Sequence, residues 1–220
     1  VNFVERFKKY GLAVALFFVT VSFSAAFDFT SSVEIAPIER NYGQFAANRF
    51  SYLKNMVISL KSSDELTKLK EVNDFWNGVR YGSDKNIWGK KDYWATPYEM
   101  LLKDRGDCED YVIAKYFTLK ELGVDTDKLY FVYVRVVGNA TPHMVLAYYR
   151  SEGESPLILD NINRRIFSAD KRKDIIPVYT FNGELLQHFK GSISNSLKEK
   201  SMKVKRKWDD LMERMKRFGL

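Results

Sequence analysis

The sequence predicts an α+β fold, and two observations carry that prediction. Up to Leu122 the apolar residues recur at helical spacing, as in Leu66, Leu69, Val72, Phe75, Trp76 and Val79. From Leu129 onward the period changes, and short runs rich in Val, Ile, Tyr and Phe alternate with turn residues. Helices first and a meander of antiparallel strands second is the α+β order. The composition, 45% hydrophobic and 15% aromatic over 220 residues, supports one packed domain with appendages. No internal repeat is visible.

Residues 1–26 read as a secretory signal. Arg6, Lys8 and Lys9 form a basic start, and Leu12 to Phe23 is an apolar run of about a dozen residues, too short for a membrane span. Ser24-Ala25-Ala26 offers small residues before a cleavage point after Ala26. The expected location is therefore the periplasm, which argues against a nucleic-acid partner for a chain of net charge +7.

Past the signal, Phe50 to Leu60 predicts a helix. Ser62-Ser63-Asp64-Glu65 starts the next one, which runs to Val79 and packs on the core. Tyr81 to Trp94 reads as a loop. Thr96-Pro97-Tyr98-Glu99 is a capping box with Pro at the first turn, opening a short helix that ends near Arg105-Gly106. A further helix spans Glu109 to Leu122, with an apolar face of Val112, Ile113, Tyr116, Phe117 and Leu119 and with Gly123 as its stop. Strands are expected at Leu129 to Val137, His143 to Tyr149, Leu157 to Asp160 and Ile175 to Phe181.

The tail, 190–220, differs from the rest. It holds ten Lys or Arg against four Asp or Glu, and so nearly all of the net charge. Leu197, Val204, Trp208, Leu211, Met215 and Phe218 fall on one face of an amphipathic helix. Three roles fit that face: packing on the body, binding a partner, or lying on an anionic membrane surface.

The chemistry centres on Gly106-Asp107-Cys108-Glu109-Asp110-Tyr111. Cys108 is the only cysteine, so it forms no intramolecular disulfide, and an exported free thiol is a liability unless it acts. A thiol at a helix N-terminus is drawn toward thiolate by the peptide dipoles. Of the two histidines, His143 opens a strand and His188 lies in Leu-Leu-Gln-His-Phe with no Asp at a nearby strand end. Asp160 closes the strand after that of His143, and adjacent antiparallel strands can bring the two together. Cys108, His143 and Asp160 then form a nucleophilic triad, with Asn161 competing for the third place. The backbone N–H of Cys108 is a natural oxyanion donor, and Gln44, Trp76, Asn77 and Trp94 are candidates for a side-chain donor. Asp107, Glu109 and Asp110 oppose thiolate formation. Either they cap and complement the helix, or they hold a divalent cation such as calcium.

Asp-Tyr-Trp-Ala-Thr-Pro-Tyr-Glu at 92–99, the Gly-Asp-Cys-Glu-Asp-Tyr hexapeptide, His143-Met-Val-Leu and Leu159-Asp160-Asn161 together resemble the bacterial transglutaminase-like cysteine proteinases of the LapG type. The resemblance covers roughly residues 40 to 190, most of the chain past the signal, and its motifs lie between 92 and 161. It implies a papain-like or transglutaminase-like core, a protease domain at 27–189, and the Asp of Leu-Asp-Asn as third triad member. It implies calcium bound through Asp107, Glu109 and Asp110, with any further ligands from the Tyr81 to Trp94 loop left unassigned. It also implies a large surface adhesin as substrate, a role in biofilm control, and sequestration by an inner-membrane cyclic-di-GMP receptor. Two other readings keep the same residues: a transglutaminase with an amine as acyl acceptor, and a non-catalytic binding module on the same fold.

Overall fold

The computed structural model describes residues 30, 32–139, 141–151, 153–183 and 195–217. The signal reading at 1–26 and His188 lie outside these residues. Seven helices are described, α1 (Ile35–Tyr42), α2 (Gln44–Leu60), α3 (Glu65–Asn77), α4 (Asp84–Trp88), α5 (Pro97–Lys103), α6 (Cys108–Glu121) and α7 (Asn195–Arg217). The strands are β1 (Arg80–Tyr81), β2 (Arg105–Gly106), β3 (Leu129–Val136), β4 (Pro142–Tyr148), β5 (Leu157–Leu159), β6 (Phe167–Ser168) and β7 (Ile175–Phe181). Among the described residues no helix is long and apolar enough to cross a membrane.

Helix α6 is the core helix. Every residue from Asp110 to Leu119 is buried, so the helix is enclosed on all sides rather than presenting one apolar stripe. Its buried polar groups are matched. Lys115 Nζ donates to Asn77 Oδ1 at 2.9 Å, and Thr118 Oγ1 accepts from Trp76 Nε1 at 3.0 Å. Burial pushes the Lys115 ammonium down to about 7. On one side α3 packs against α6, and on the other lies β4.

The main sheet runs β6-β5-β4-β3-β7, antiparallel throughout. It is not the simple meander expected, because β7 leaves β6 and pairs with β3 at the far edge. Alternation sends Leu129, Phe131, Met144, Leu146 and Leu159 toward the helices, and Val132, Val134, Val145, Ala147 and Ile158 into a smaller cluster on the other face. In the ladder Leu146 faces Leu159. One step further along that register, Asp160 sits across from Val145, two residues from His143 on the same strand face.

Several elements depart from the sequence reading. Helix α1 and the first turns of α2 occupy a polar-aromatic stretch whose periodicity was not legible, and α4 lies within the expected loop at Tyr81 to Trp94. The N-cap of α3 is Asp64, whose side chain accepts from Thr67 N. The capping box of α5 forms between Thr96 and Glu99.

Helix α7 lies on the body through Val204, Trp208, Leu211 and Met215, all buried. Trp208 stacks on Phe117 with ring centroids 5.7 Å apart and meets Tyr116 and Phe131 edge-on. Arg214 donates to Glu99 Oε2 at 2.5 Å and to the Trp94 carbonyl at 2.6 Å, which pins the helix to the segment before α5. Gly183 passes so close that a Cβ there would lie 2.8 Å from the Trp208 ring.

Candidate active site and cation site

Cys108 opens α6, and the turn before it is as tight as the sequence requires. A Cβ on Gly106 would lie 2.8 Å from Met100 and 2.9 Å from Asp110 Cβ, so only glycine fits. Asp110 ties this turn down. Its two oxygens accept from Ala95 N at 2.7 Å and Asp107 N at 3.1 Å. Asp110 is thus partly a structural residue that fixes the chain on both sides of the thiol.

His143 and Asp160 meet as the β4–β5 register dictates. His143 Nε2 lies 2.8 Å from Asp160 Oδ1, and both side chains are buried. Asn161, the competitor for this place, makes no such bond, and its Oδ1 has no hydrogen-bond partner among the described residues. Asp160 Oδ1 also accepts from Ile162 N at 2.9 Å. Its other oxygen accepts from Arg172 Nη2 at 2.7 Å. Burial pushes the Asp160 carboxyl up, but the bonds from His143 and Arg172 outweigh it and hold the group at about 2. His143 is thereby held through Nε2, and Nδ1 takes no part in that bond.

The thiol and the imidazole line the same cleft, of about 1180 Å³. They also share a smaller pocket of about 400 Å³ with Tyr81 and Asn161. Cys108 Sγ lies 3.0 Å from Glu109 Oε2 and donates to it. Burial, then the charge of Glu109, push the thiol well above its usual range. Burial and the Glu109 charge thus both favour the protonated thiol, and positive charge nearby would oppose them.

The carboxylates beside the thiol supply a place for such charge. Asp84, Asp107 and Asp110 bring ligand oxygens within 4.8 Å of one another, and so do Asp84, Asp92 and Glu109. Asp84 Oδ1 and Asp107 Oδ1 are buried with no hydrogen-bond partner among the described residues. Burial raises Asp84 to about 6 and, together with Glu109, raises Asp107 to about 10. Orphaned buried oxygens, all from carboxylates, fit a hard divalent cation. Sequence reasoning singled out Asp107, Glu109 and Asp110 and left further ligands in the Tyr81 to Trp94 stretch unassigned; α4 and the following turn bring Asp84 and Asp92 in from that stretch.

Three of the four proposed side-chain oxyanion donors are spent elsewhere. Gln44 Nε2 donates to Asn48, Trp76 Nε1 to Thr118, and Asn77 Nδ2 to the Asp160 carbonyl. Trp94 Nε1 is buried without a partner among the described residues, and Trp94 does not line the cleft. Tyr81, which was passed over, does share a pocket with the thiol. Arg172 was also missed, lying in a charged stretch read as loop, where nothing marks one Arg among its neighbours.

The family description "bacterial transglutaminase-like cysteine proteinase" matches residues 43–174. Among solved structures, Legionella pneumophila LapG is 34% identical, with a TM-score of 0.66, over 83% of this chain and 98% of that one. Calcium-bound LapG from the same organism is 36% identical, with a TM-score of 0.66, over 83% of this chain and 99% of that one. An EGTA-treated form gives 34% identity and the same TM-score over 83% and 98%. No curated protein sequence matches.

Proposed function

The chain belongs to the bacterial transglutaminase-like cysteine proteinases, and from that membership we propose that Cys108, His143 and Asp160 carry out its peptide-bond hydrolysis. The observation that supports the assignment most is the buried His143–Asp160 bond of 2.8 Å at the wall of a cleft that also holds the only thiol. Cys108 Sγ attacks the scissile carbonyl carbon while its proton passes to His143 Nδ1. The resulting oxyanion is met by the backbone N–H of Cys108, a first-turn donor of α6. His143 returns the proton to the leaving amine, and a thioester remains. Water then gives its proton to His143 and attacks the thioester, releasing the acid and the thiol. Asp160 keeps the ring in one tautomer and faces the positive charge that forms on it.

Calcium belongs to the same proposal. Asp84, Asp107, Glu109 and Asp110 would hold it, and it would supply positive charge beside the thiol when bound. A LapG structure with calcium supports this reading.

The substrate we propose is a cell-surface adhesin, cut in control of attachment and biofilm, with an inner-membrane cyclic-di-GMP receptor as the sequestering partner. Residues 1–26 would be removed on export, and the mature enzyme would act in the periplasm. The resemblance in the motifs supports these assignments, together with the basic and apolar start of the chain.

The test is the Cys108→Ala protein, which should fold normally and lose proteolysis. A thiol-directed acyl probe should label wild type and fail on His143→Ala. Cleavage by Cys108→Ala within tenfold of wild type would overturn the mechanism. Surface proteomics with and without the enzyme identifies the substrate, and intact mass of the mature protein decides whether 1–26 is removed.

A further inference from the structure

The active-site cleft has an uneven charge. Four cations line it, Lys91, Arg135, Lys203 and Lys207, against the two carboxylates Asp92 and Glu109. Both carboxylates are engaged. Asp92 meets Lys207 and lies 3.4 Å from Lys203, and Glu109 accepts from the thiol. Lys91 and Arg135 have no ion pair among the described residues, and both are exposed. The surplus is therefore positive and stands on side chains free to pair.

The positions of these cations matter more than their number. Arg135 follows Phe131 and Tyr133 at period two on β3, so it leaves the sheet on the face that carries α6, at the end where the thiol lies. Lys91 stands at the loop between α4 and α5, next to Asp92. The two cations thus reach the cleft from different elements. Tyr133 and Tyr179 line the same cleft and stack with centroids 4.4 Å apart. A stacked aromatic pair and unpaired cations lining one cleft suit an extended chain that packs on the rings and carries acidic side chains.

Building on the protease reading, we propose that the cleft selects peptide segments with carboxylates flanking the scissile bond, and that Lys91 and Arg135 are the residues that pair with them. Lys203 and Lys207, held by Asp92, fix the wall formed by α7 and add to the field.

The test separates binding from cleavage. Peptides of one sequence carrying Glu, Gln or Lys on both sides of a common centre are titrated by fluorescence anisotropy against the full-length Cys108→Ala protein. The Glu peptide should bind about tenfold more tightly than the Lys peptide at low ionic strength, and the gap should shrink as salt rises. Lys91→Glu combined with Arg135→Glu should abolish or reverse the preference, and the milder Gln pair should reduce it. Equal affinity across the series, absent binding, or a preference that survives the double variant overturns the inference. The same peptides are offered to wild type. Cleavage without charge preference sinks this inference and leaves the protease reading standing. Acid-selective binding with no cleavage of any peptide does the reverse.

Discussion

Arg172 donates from Nη2 to Asp160 Oδ2 at 2.7 Å, on the side of the carboxylate away from His143. The same guanidinium holds Asp174 through Nε and Nη2, each at 2.8 Å. Asp160 therefore stays ionised although it is buried, at about 2. A depressed carboxylate of this kind contributes stability above its unfolded value and loses it only as pH falls toward 2.

Arg172→Met should raise the Asp160 carboxyl, because burial then acts against a weaker opposition. The acid limb of the kcat/KM profile should move to higher pH, and Arg172→Lys should restore part of the shift. Removing one partner of a buried pair should also cost about 3 kcal/mol of stability. A stability loss with an unmoved pH profile would make Arg172 a structural residue only.

Tyr81 shares the smaller pocket with Cys108 and His143, and the residue is largely exposed. If its hydroxyl meets the oxyanion, Tyr81→Phe should lower kcat by about tenfold to a hundredfold with little change in KM. An unchanged kcat leaves the Cys108 backbone N–H as the donor and removes Tyr81 from the mechanism.

The core of this picture was legible because it rests on local chemistry. The α5 capping box, the Gly106 turn and the strand starting near His143 are each set by residues adjacent in sequence. The His143–Asp160 meeting follows from the register of two neighbouring strands. Arg172, Asp84 and Tyr81 were not legible for one shared reason. Each reaches the site from a connecting segment, a two-residue strand or a helix of little more than one turn, where side-chain direction depends on tertiary packing and no period reports it. The β7 crossover escaped for a similar reason, since strand order at a sheet edge leaves no local pattern.

Trp208 tests what α7 does. It is buried, with its ring against Phe117, Tyr116 and Phe131. Trp208→Ala should destabilise the protein by about 3–5 kcal/mol, and truncation after Phe189 should lower the melting temperature clearly. Calorimetry of both proteins decides it. A normal melting temperature with lost partner or membrane association would assign the helix to binding instead.

Calcium offers the strictest test, because the metal-free protein has its own pH signature. Asp84 titrates near 6 in the folded chain, above the ordinary carboxylate value, and Asp107 near 10. An acid whose folded value is raised binds more protons folded than unfolded across that gap. Stability of the metal-free protein should therefore fall as pH rises from about 4 through 6 and beyond. Calcium binding only the folded chain should lift the melting temperature at neutral pH, by about 2.7 kcal/mol of stability at a hundredfold excess over Kd. It should flatten the pH slope as well. Magnesium, which keeps its waters and demands a tighter octahedron, should do so less. Asp84→Asn divides the readings. If Asp84 is a ligand, this variant melts higher than wild type without metal, since a buried charge is gone, yet gains less from calcium. Titration calorimetry on chelator-stripped protein measures the affinity alongside the melting curves. An absence of calcium binding at millimolar concentration, with full cleavage in chelator, would return Asp107 and Asp110 to shaping the helix start and leave the orphaned Asp84 oxygen to be matched by another donor.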